Sequence, residues 1–259
     1  MRLDGAVALV TGASSGIGAA TAAALATAGA SLLLSGRDEA RLAEVAARTG
    51  GTALGGDLAA PGGAAALAER ALAAGPAVAR GGIDILVNNA GLGWAGPFGA
   101  IPAAKVTELA TVNLAAPIEL TRLVVPGMTE RGRGGVAFVS SIAGVTGVPG
   151  EAVYAATKAG LAAFAESLAY EVRGHGVTVS VIVPGVIDTP FFGRRGTPYG
   201  RARPAPIPAG RVAAAIVSAL EHDRAVVYVP GWLRFPAWLH GTAPGVFRAL
   251  ATRFGDPGY

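Results

Sequence analysis

The chain has 259 residues, no cysteine, and 21 lysine and arginine side chains against 17 acidic ones. Hydrophobic residues make up 52% of it and charged residues only 15%, against about 25% in an average domain, so it can bury enough apolar surface to fold and intrinsic disorder is excluded. The absence of cysteine excludes disulfides, thiolate catalysis and Cys-ligated zinc, and a net charge of +4 is too small to indicate nucleic-acid binding.

Apolar runs alternate along the chain with alanine-rich or amphipathic segments, which predicts alternating strands and helices. The uncharged stretch 5–36 is interrupted by glycines, which predicts a buried strand, turn, helix and strand, and neither a transmembrane helix nor a signal peptide. This alternation favours one α/β domain over 1–259, with a doubly wound parallel sheet and helices on both faces. The predicted strands are Ala6–Val10, Ser31–Ser35, Thr52–Leu54, Ile83–Val87, Val136–Val139, Val177–Val183 and Ala225–Val229. The predicted helices are Gly16–Ala28, Asp38–Thr49, Gly62–Ala74, Val106–Met128, Tyr154–Arg173 and Ala209–Leu220.

Two segments interrupt this alternation, and they carry the excess positive charge. Residues 1–189 have a net charge of −2 and residues 190–259 a net charge of +6. The segment 190–208 is rich in arginine, proline and glycine, which predicts a mobile lid that either binds an anionic group of the substrate or is simply solvated. The arginines of this region are Arg194, Arg195, Arg201, Arg203 and Arg211.

The second segment is the aromatic tail, 230–259, which contains Trp232, Phe235 and Trp238 and is interrupted by Pro230, Pro236 and Pro244. It is too short and too interrupted to span a bilayer. Packing in the core or on a neighbouring subunit is the favoured interpretation, while capping of an apolar pocket and peripheral contact with a membrane surface stay open. Because no other segment is a membrane candidate, a soluble cytoplasmic protein is expected.

A glycine-rich turn, Thr11–Gly18, joins the first predicted strand to the first helix. Its glycines allow positive φ and a close backbone approach, and the helix that follows offers amide groups to a pyrophosphate. The spacing Gly12-x-x-x-Gly16-x-Gly18 differs from the common dinucleotide fingerprint, and a plain tight turn is the alternative. Its place after the first strand favours dinucleotide binding.

Arg37 follows the second strand, where a doubly wound fold reads the adenosine ribose of its cofactor. A guanidinium in this place suits a 2′-phosphate, whereas an acidic residue suits a free 2′-hydroxyl. The next residue, Asp38, weakens the distinction, and Arg37 can instead be a solvated side chain at the start of a helix. The sequence therefore favours NADP(H), with NAD(H) still possible.

Tyr154 and Lys158 are four residues apart and lie on one face of a predicted helix. A neighbouring ammonium favours the phenolate, so the pair predicts a tyrosine whose pKa is lowered enough for proton transfer. Ser141 ends a strand at the edge that faces the ligand crevice, where a hydroxyl can donate to a carbonyl oxygen. Its neighbour Ser140 competes for that role because side chains alternate along a strand.

These residues together resemble the short-chain dehydrogenase/reductase family over about residues 4–230. The motifs that carry the resemblance are Thr11-Gly12-x-x-x-Gly16-Ile17-Gly18, Asn88-Asn89-Ala90-Gly91, Ser141, Tyr154-x-x-x-Lys158 and Pro184-Gly185. The resemblance implies a Rossmann-type sheet of about seven parallel strands, a nicotinamide cofactor and hydride transfer. It also implies a homodimer or homotetramer.

The resemblance further implies roles for individual residues. Tyr154 is expected to be the general acid/base, Lys158 to lower its pKa and hold the nicotinamide ribose, Ser141 to orient the carbonyl, and Asn113 to hold a proton-relay water. No metal site is expected. The expected cofactor-binding residues are Gly12, Ser14, Ser15, Gly16, Ile17, Gly18, Arg37, Asp57, Leu58, Asn89, Ala90, Gly91, Tyr154, Lys158, Pro184, Gly185, Ile187 and Thr189. For Asn88 and Asn89, satisfying backbone groups between strands is an alternative role.

The expected activity is an NADP(H)-dependent interconversion of a ketone or aldehyde with an alcohol. Trp94, Phe98, Phe191 and Phe192 suggest that the substrate is largely apolar. Two alternatives stay open: an epimerase or dehydratase that reuses the same cofactor and Tyr–Lys pair, and a non-catalytic protein that senses NADP(H).

Overall fold

The computed structural model describes residues 1–197, 200 and 204–254. Arg201 and Arg203 of the predicted lid, and the last five residues of the tail, lie outside these residues. The strands are β1 (Val7–Thr11), β2 (Ser31–Gly36), β3 (Thr52–Gly55), β4 (Ile85–Asn88), β5 (Gly134–Val139), β6 (Val177–Pro184), β7 (Ile187–Asp188), β8 (Ile207–Pro208) and β9 (Val226–Val229).

Seven of these strands form one parallel sheet in the order β3-β2-β1-β4-β5-β6-β9, and β7 pairs with β8 in a separate short ladder. The chain starts near the middle of the sheet, winds outward to β3, and then returns past β1 to build the other half. This confirms the predicted doubly wound α/β fold, and each predicted sheet strand is present with ends shifted by one or two residues.

The helices are α1 (Gly16–Thr27), α2 (Glu39–Thr49), α3 (Gly63–Ala73), α4 (Gly75–Arg80), α5 (Ala103–Ala110), α6 (Ala116–Glu130), α7 (Ala143–Thr146), α8 (Ala152–Glu171), α9 (Phe191–Arg194), α10 (Ala209–Glu221), α11 (Arg234–Thr242) and α12 (Pro244–Phe254). The predicted helix Val106–Met128 is instead α5 and α6 joined by a π-helical turn at Thr111–Ala115. The short helices α4, α7 and α9 are not predicted, because helices of four to six residues are too short for a periodic pattern.

Helices cover both faces of the sheet, so its central strands are buried on both sides. Every residue of β1 is buried, which explains its uninterrupted apolar run. On one face Leu9 and Phe138 pack with residues of α3, α6 and α8, and on the other Val10 and Leu34 pack with residues of α1, α2 and α10. The two apolar layers fix the sheet edge that carries the site.

One continuous helical run, Ala103–Glu130, is long and apolar enough by length and hydropathy to cross a membrane, but half of its most apolar window is buried inside the fold. Leu109, Leu120 and Met128 from this run are fully buried. It therefore packs as a core helix. The uncharged stretch 5–36 forms β1, α1 and β2, as predicted.

The amino edge of the sheet is closed by Asp84, which precedes β4 and is only 1% exposed. Its carboxylate accepts hydrogen bonds from the Val7 backbone N–H at 3.1 Å, from Arg80 Nε at 3.0 Å and from Arg133 Nε at 3.1 Å. A buried carboxylate with three donors is well compensated for its lost hydration. This cluster holds the starts of β1 and β4 together.

Candidate active site

A cleft of about 1200 Å³ opens at the carboxyl edge of the sheet. Ligands of open α/β sheets bind at this edge, where the strand order reverses. Every residue predicted from the sequence for catalysis or cofactor binding lines the cleft except Gly18 and Asn113. The cleft is lined by Arg37 and Asp57, which follow β2 and β3, and by Phe191 and Phe192 of α9, and its volume suits a dinucleotide with a second molecule beside it.

The glycine turn forms the floor of the cleft, and its backbone is open to an anion. Gly12 and Gly16 have φ of +66° and +56°, and a Cβ on Gly12 would lie 2.8 Å from the Cα of Ala90. Ser15 precedes α1 without a side-chain capping bond, and α1 has no acidic residue in its first turn. The first amides of α1 are therefore suited to a phosphate, and the turn fits a dinucleotide cofactor. Gly18 lies behind the turn, where a Cβ would meet the Gly12 carbonyl.

Thr11 and Asn89 fasten this turn to the loop after β4. Thr11 Oγ1 accepts from the backbone N–H groups of Asn89 and Ala90, both at 3.0 Å, and Asn89 Nδ2 donates to the Thr11 carbonyl at 2.8 Å. Asn88 Nδ2 donates to Thr121 Oγ1 at 3.1 Å. Asn89 thus makes the backbone contacts given as its alternative role, whereas Asn88 bonds a side chain of α6. Thr11 is the centre of this bonding, which the glycine motif alone does not indicate.

The far end of the cleft carries the predicted adenosine contacts. Asp38 caps α2 by accepting from the Arg41 N–H at 3.1 Å, so its carboxylate is already engaged. Arg37 lies beside it and contacts Glu108 of α5 at 3.7 Å. Asp57 lies on the rim with its Oδ1 accepting from the Ala59 N–H at 2.9 Å, next to the buried Leu58. Asp38 also lines the cleft, so its carboxylate remains beside Arg37 at this end.

Ser141 and Tyr154 meet at the centre of the cleft. The Ser141 side chain lies close enough to the Tyr154 hydroxyl to oppose the rise in its pKa, and Ser141 Oγ accepts from the Ala143 N–H at 3.1 Å. Ser140 Oγ instead donates to the Lys158 carbonyl at 2.9 Å, on the other side of the strand end. The competition between the two serines is thereby resolved in favour of Ser141 as the residue that faces Tyr154.

Lys158 lies one helical turn below Tyr154, and both side chains are buried. Its Nζ donates to the Val139 carbonyl at 2.8 Å and lies 5.9 Å from the centre of the Tyr154 ring. Burial lowers the pKa of Lys158 to about 8 and raises the pKa of Tyr154 above its ordinary value of 10.0. The predicted lowering of the Tyr154 pKa is therefore wrong. Desolvation of the buried phenol outweighs the attraction of the Lys158 ammonium, which lies 5.9 Å from the centre of the ring.

Asn113 lies in the π-helical turn and is fully buried behind the cleft. Its Oδ1 accepts from the Leu92 N–H at 2.8 Å, and its Nδ2 donates to the Leu92 carbonyl at 2.9 Å and to Thr157 Oγ1 at 3.2 Å. The side chain thus joins the loop after β4 to α8, the helix of Tyr154. π-Helical turns are frequent at functional sites. Its role in a proton relay stays a prediction.

The opposite wall of the cleft follows β6. Gly185 packs against Leu233, and a Cβ at this position would lie 2.9 Å from Leu233 Cδ1. Thr189 lies over Gly16, where a Cβ would be 3.0 Å from Thr189 Cγ2. Pro184, Ile187 and Thr189 all line the cleft, so this wall and the glycine turn face each other.

The lid arginines Arg194 and Arg195 make different contacts. Arg194 is exposed and reaches back to Ser15 Oγ at 3.4 Å, whereas Arg195 is buried, pairs with Glu151 and stacks over the Phe192 ring at 4.8 Å. Glu151 lies directly before α8, so this pair ties the lid to the helix of Tyr154. Because Arg195 is neutralised by Glu151, neither predicted role, anion binding or simple solvation, applies to it. Arg211 is exposed on α10.

The aromatic side of the cleft is smaller than the sequence suggested. The Phe191 ring lies 5.5 Å from the Tyr154 ring, and Phe192 also lines the cleft. Trp94 and Phe98 instead border a separate small pocket with Gly150 and Val153. The grouping of all four aromatic residues around the substrate is therefore wrong for Trp94 and Phe98.

Comparison with known proteins agrees with this arrangement. Residues 6–199 match the family model described as short chain dehydrogenase. The chain is 36% identical over 192 residues to ketoacyl reductase HetN of Nostoc sp., which covers 72% of this chain and 65% of that protein. It is 33% identical over 238 residues to 3-oxoacyl-(acyl-carrier-protein) reductase FabG of Escherichia coli, covering 89% and 95% of the two chains.

Solved structures agree in the same way. A short-chain dehydrogenase from Sphingobium yanoikuyae in complex with NADPH superposes with a TM-score of 0.80 at 29% identity, over 98% of both chains. A metagenomic short-chain oxidoreductase in complex with NADP superposes with a TM-score of 0.72 at 34% identity, over 88% of this chain and 96% of that one.

Proposed function

Because the chain belongs to the short-chain dehydrogenase/reductase family of oxidoreductases, we propose that it is an NADP(H)-dependent reductase that converts a ketone or aldehyde into an alcohol. The observation that carries the proposal is the Tyr154 hydroxyl, which lies beside the Ser141 side chain inside the cleft and above the buried Lys158. The ketoacyl reductases among the relatives support a carbonyl substrate.

The proposed chemistry assigns one task to each side chain. Ser141 and Tyr154 hold the carbonyl oxygen with their hydroxyl groups, and Tyr154 donates its proton as negative charge develops there. A bound reduced nicotinamide supplies the hydride that the carbonyl carbon accepts. The Lys158 ammonium stabilises the phenolate that remains on Tyr154, and a proton from solvent restores the phenol before the next turnover.

The protonation state of Tyr154 at neutral pH suits reduction. Burial keeps the pKa of Tyr154 above its ordinary value, so the side chain is a protonated phenol in the neutral range, which is the form that gives a proton to a carbonyl oxygen. Oxidation of an alcohol requires the opposite form, a phenolate that accepts a proton. The protein is therefore proposed to work as a reductase at neutral pH.

Preference for NADP(H) is supported by the adenosine end of the cleft. Arg37 offers a planar cation for a 2′-phosphate, and Asp38 is held by the first turn of α2. Arg41 and Lys105 also line this end, where they pair with Asp38 and Glu108. Two similar structures hold NADPH or NADP, which supports the same assignment.

The substrate is proposed to be a mainly apolar carbonyl compound. Phe191, Phe192, Val148 and Pro149 line the cleft on the side of the Tyr154 hydroxyl. The Glu151–Arg195 pair keeps the charge on this side balanced, so an anionic handle is not the expected feature. An acyl thioester with its carbonyl in an otherwise apolar chain fits these walls.

The test is a spectrophotometric panel that compares NADPH and NADH with acyl thioesters, steroids, retinoid aldehydes, diketones and sugars. We expect stoichiometric NADPH oxidation with an apolar ketone, and Tyr154→Phe to lower turnover by at least ~10²-fold while cofactor still binds. Tyr170→Phe is the matched control, because Tyr170 is an exposed tyrosine of the same helix.

Three outcomes would contradict the proposal in different ways. Near-normal turnover in Tyr154→Phe would remove that residue as the acid. Conversion of substrate without net NADPH consumption would identify an epimerase or dehydratase that recycles its cofactor. Cofactor binding without turnover on the whole panel would favour a sensing protein.

A further inference from the structure

The C-terminal segment holds apolar side chains on the outside of the protein. Trp232, Phe235 and Trp238 are 56%, 66% and 59% exposed, and the rings of Phe235 and Trp238 stack at 6.1 Å. Val246 and Leu250 of α12 are also exposed, and we call these five residues the tail patch. These five residues are therefore not packed in the core, while packing on a neighbouring subunit and contact with a membrane surface stay open. Exposed apolar patches mark sites of interaction.

The segment that carries the tail patch is packed against the rest of the fold. Leu233 is buried against Gly185, and α11 packs on α7, the short helix that begins two residues after Ser141. The second tail helix, α12, packs on α11, with the Phe247 ring 5.1 Å from the ring of His240. No described residue of α12 is buried. One side of the tail is thus packed against the fold, and its other side is exposed.

The charge around the tail patch has one sign. From Arg224 to Phe254 the sequence contains no acidic residue, and Arg234 and Arg248 are both exposed on the two tail helices. A symmetric contact between two copies of this surface would bring these arginines against those of the second copy. The complementary partner is therefore an anionic surface.

Tryptophan beside arginine on a short amphipathic helix is typical of segments that lie in the headgroup region of a bilayer. We propose that α11 and α12 dock this protein on an anionic lipid membrane. Trp232, Phe235 and Trp238 insert among the headgroups, while Arg234 and Arg248 contact lipid phosphates. Because α11 adjoins α7, docking brings the cleft close to the bilayer, and this consequence for an apolar substrate rests on the proposed function.

The docking is tested without any turnover, by sedimentation of the full chain with phosphatidylcholine vesicles and with vesicles that contain phosphatidylglycerol. We expect binding to the anionic vesicles. In a Trp94→Phe background, where only the two tail-patch tryptophans emit, we also expect a blue shift of the fluorescence. Trp232→Ser combined with Phe235→Ser and Trp238→Ser should weaken partitioning at least about tenfold.

Variants that remove a charge distinguish docking through the tail from nonspecific adsorption to the vesicles. Arg234→Gln with Arg248→Gln should weaken binding to anionic vesicles about fivefold for each arginine. Arg48→Gln with Arg173→Gln removes two exposed arginines, one from α2 and one from the turn after α8, and should leave binding unchanged. Val78→Ser, which removes an exposed apolar side chain of α4, should also have no effect.

Two results would overturn the proposal. In the first, wild-type protein stays in the supernatant with both kinds of vesicle, and its sedimentation mass falls only in the tail-patch variant, which would identify the patch as a contact between copies of this chain. In the second, the control variants lose as much vesicle binding as the tail variants, which would show that no particular surface docks.

Discussion

Polar groups are buried at both edges of the central sheet, but only those at the amino edge have a full set of hydrogen-bond partners. At the amino edge the Asp84 carboxylate receives three N–H donors and is compensated for its burial. At the carboxyl edge Tyr154 and Lys158 are also buried, but among the described residues the Lys158 ammonium makes one hydrogen bond, to Val139, and burial moves the pKa of both groups toward the neutral form. Burial with a full set of partners holds the fold, whereas burial without them leaves groups available for chemistry.

The largest effect that would test this contrast is expected for Lys158→Met, which keeps the length of the side chain and removes its charge. Turnover should fall about 10²–10⁴-fold, because the phenolate left on Tyr154 loses its stabilising cation. The melting temperature at neutral pH should not fall, since burying the ammonium costs free energy that methionine does not. Steady-state kinetics and calorimetry on one preparation measure both. A variant that loses stability and keeps its turnover would reverse the assignment of this edge.

The amino edge should respond in the opposite way to Asp84→Asn. Arg80 and Arg133 would then face each other without the carboxylate, and the free energy of unfolding should fall by about 3 kcal/mol. Turnover measured well below the melting temperature should stay as in the wild type. Glu119→Gln breaks an exposed ion pair with Arg122 and is the matched control, with no measurable change expected. If Asp84→Asn and Glu119→Gln lowered the free energy of unfolding equally, burial of the Asp84 carboxylate would add nothing to its contribution to stability.

Within the carboxyl edge, cofactor selectivity can be separated from cofactor affinity. Arg37→Asp should weaken NADPH binding about tenfold to thirtyfold and leave NADH nearly unaffected, because only NADPH has a 2′-phosphate. Arg194→Gln should weaken both cofactors equally, by about threefold, since Arg194 lies across the glycine turn beside Ser15. Titrations with each dinucleotide measure this, with Arg48→Gln as the control on α2. Unchanged selectivity in Arg37→Asp would mean that another group reads the phosphate.

The sequence predicted those parts of the molecule whose signals are local. Strands buried on both faces leave uninterrupted apolar runs, so β1 and β6 were found, and the four-residue spacing of Tyr154 and Lys158 places them on one helix face wherever that helix packs. The glycines of the turn identified its place because the positive φ at Gly12 and Gly16 restricts the residue type.

Long-range contacts left no such signal. Glu151 and Arg195 are 44 residues apart, and nothing in either segment marks them as partners. The sequence does not predict the direction in which the pKa of Tyr154 shifts. This direction depends on how deeply α8 and the Phe191 ring bury the phenol, and only the packed structure sets that depth. The exposure of the tail was missed because an apolar segment is read as core unless its packing partner is known to be absent.

The smallest expected effect is a change of stability with pH that comes from Lys158 alone. The pKa of Lys158 is about 8 in the folded protein, below its ordinary value of 10.5. Below pH 8 the lysine is charged both folded and unfolded, so the cost of burying the ammonium is fully present. As the pH rises above 8 the folded protein releases this proton first, and the cost disappears by about pH 10.5. Wild-type protein should therefore gain about 1 kcal/mol relative to Lys158→Met between about pH 7 and 9.

Comparison with Lys158→Met cancels the titration of all other groups, and urea unfolding at each pH gives the difference directly. The upper limit of about pH 9 also excludes Tyr154, whose raised pKa acts against the fold only above its ordinary value of 10.0, where the unfolded chain ionises first. A difference that stays constant with pH would mean that the ammonium is solvated in the folded protein. The carboxyl edge would then be no less compensated than the amino edge, and the contrast between them would be lost.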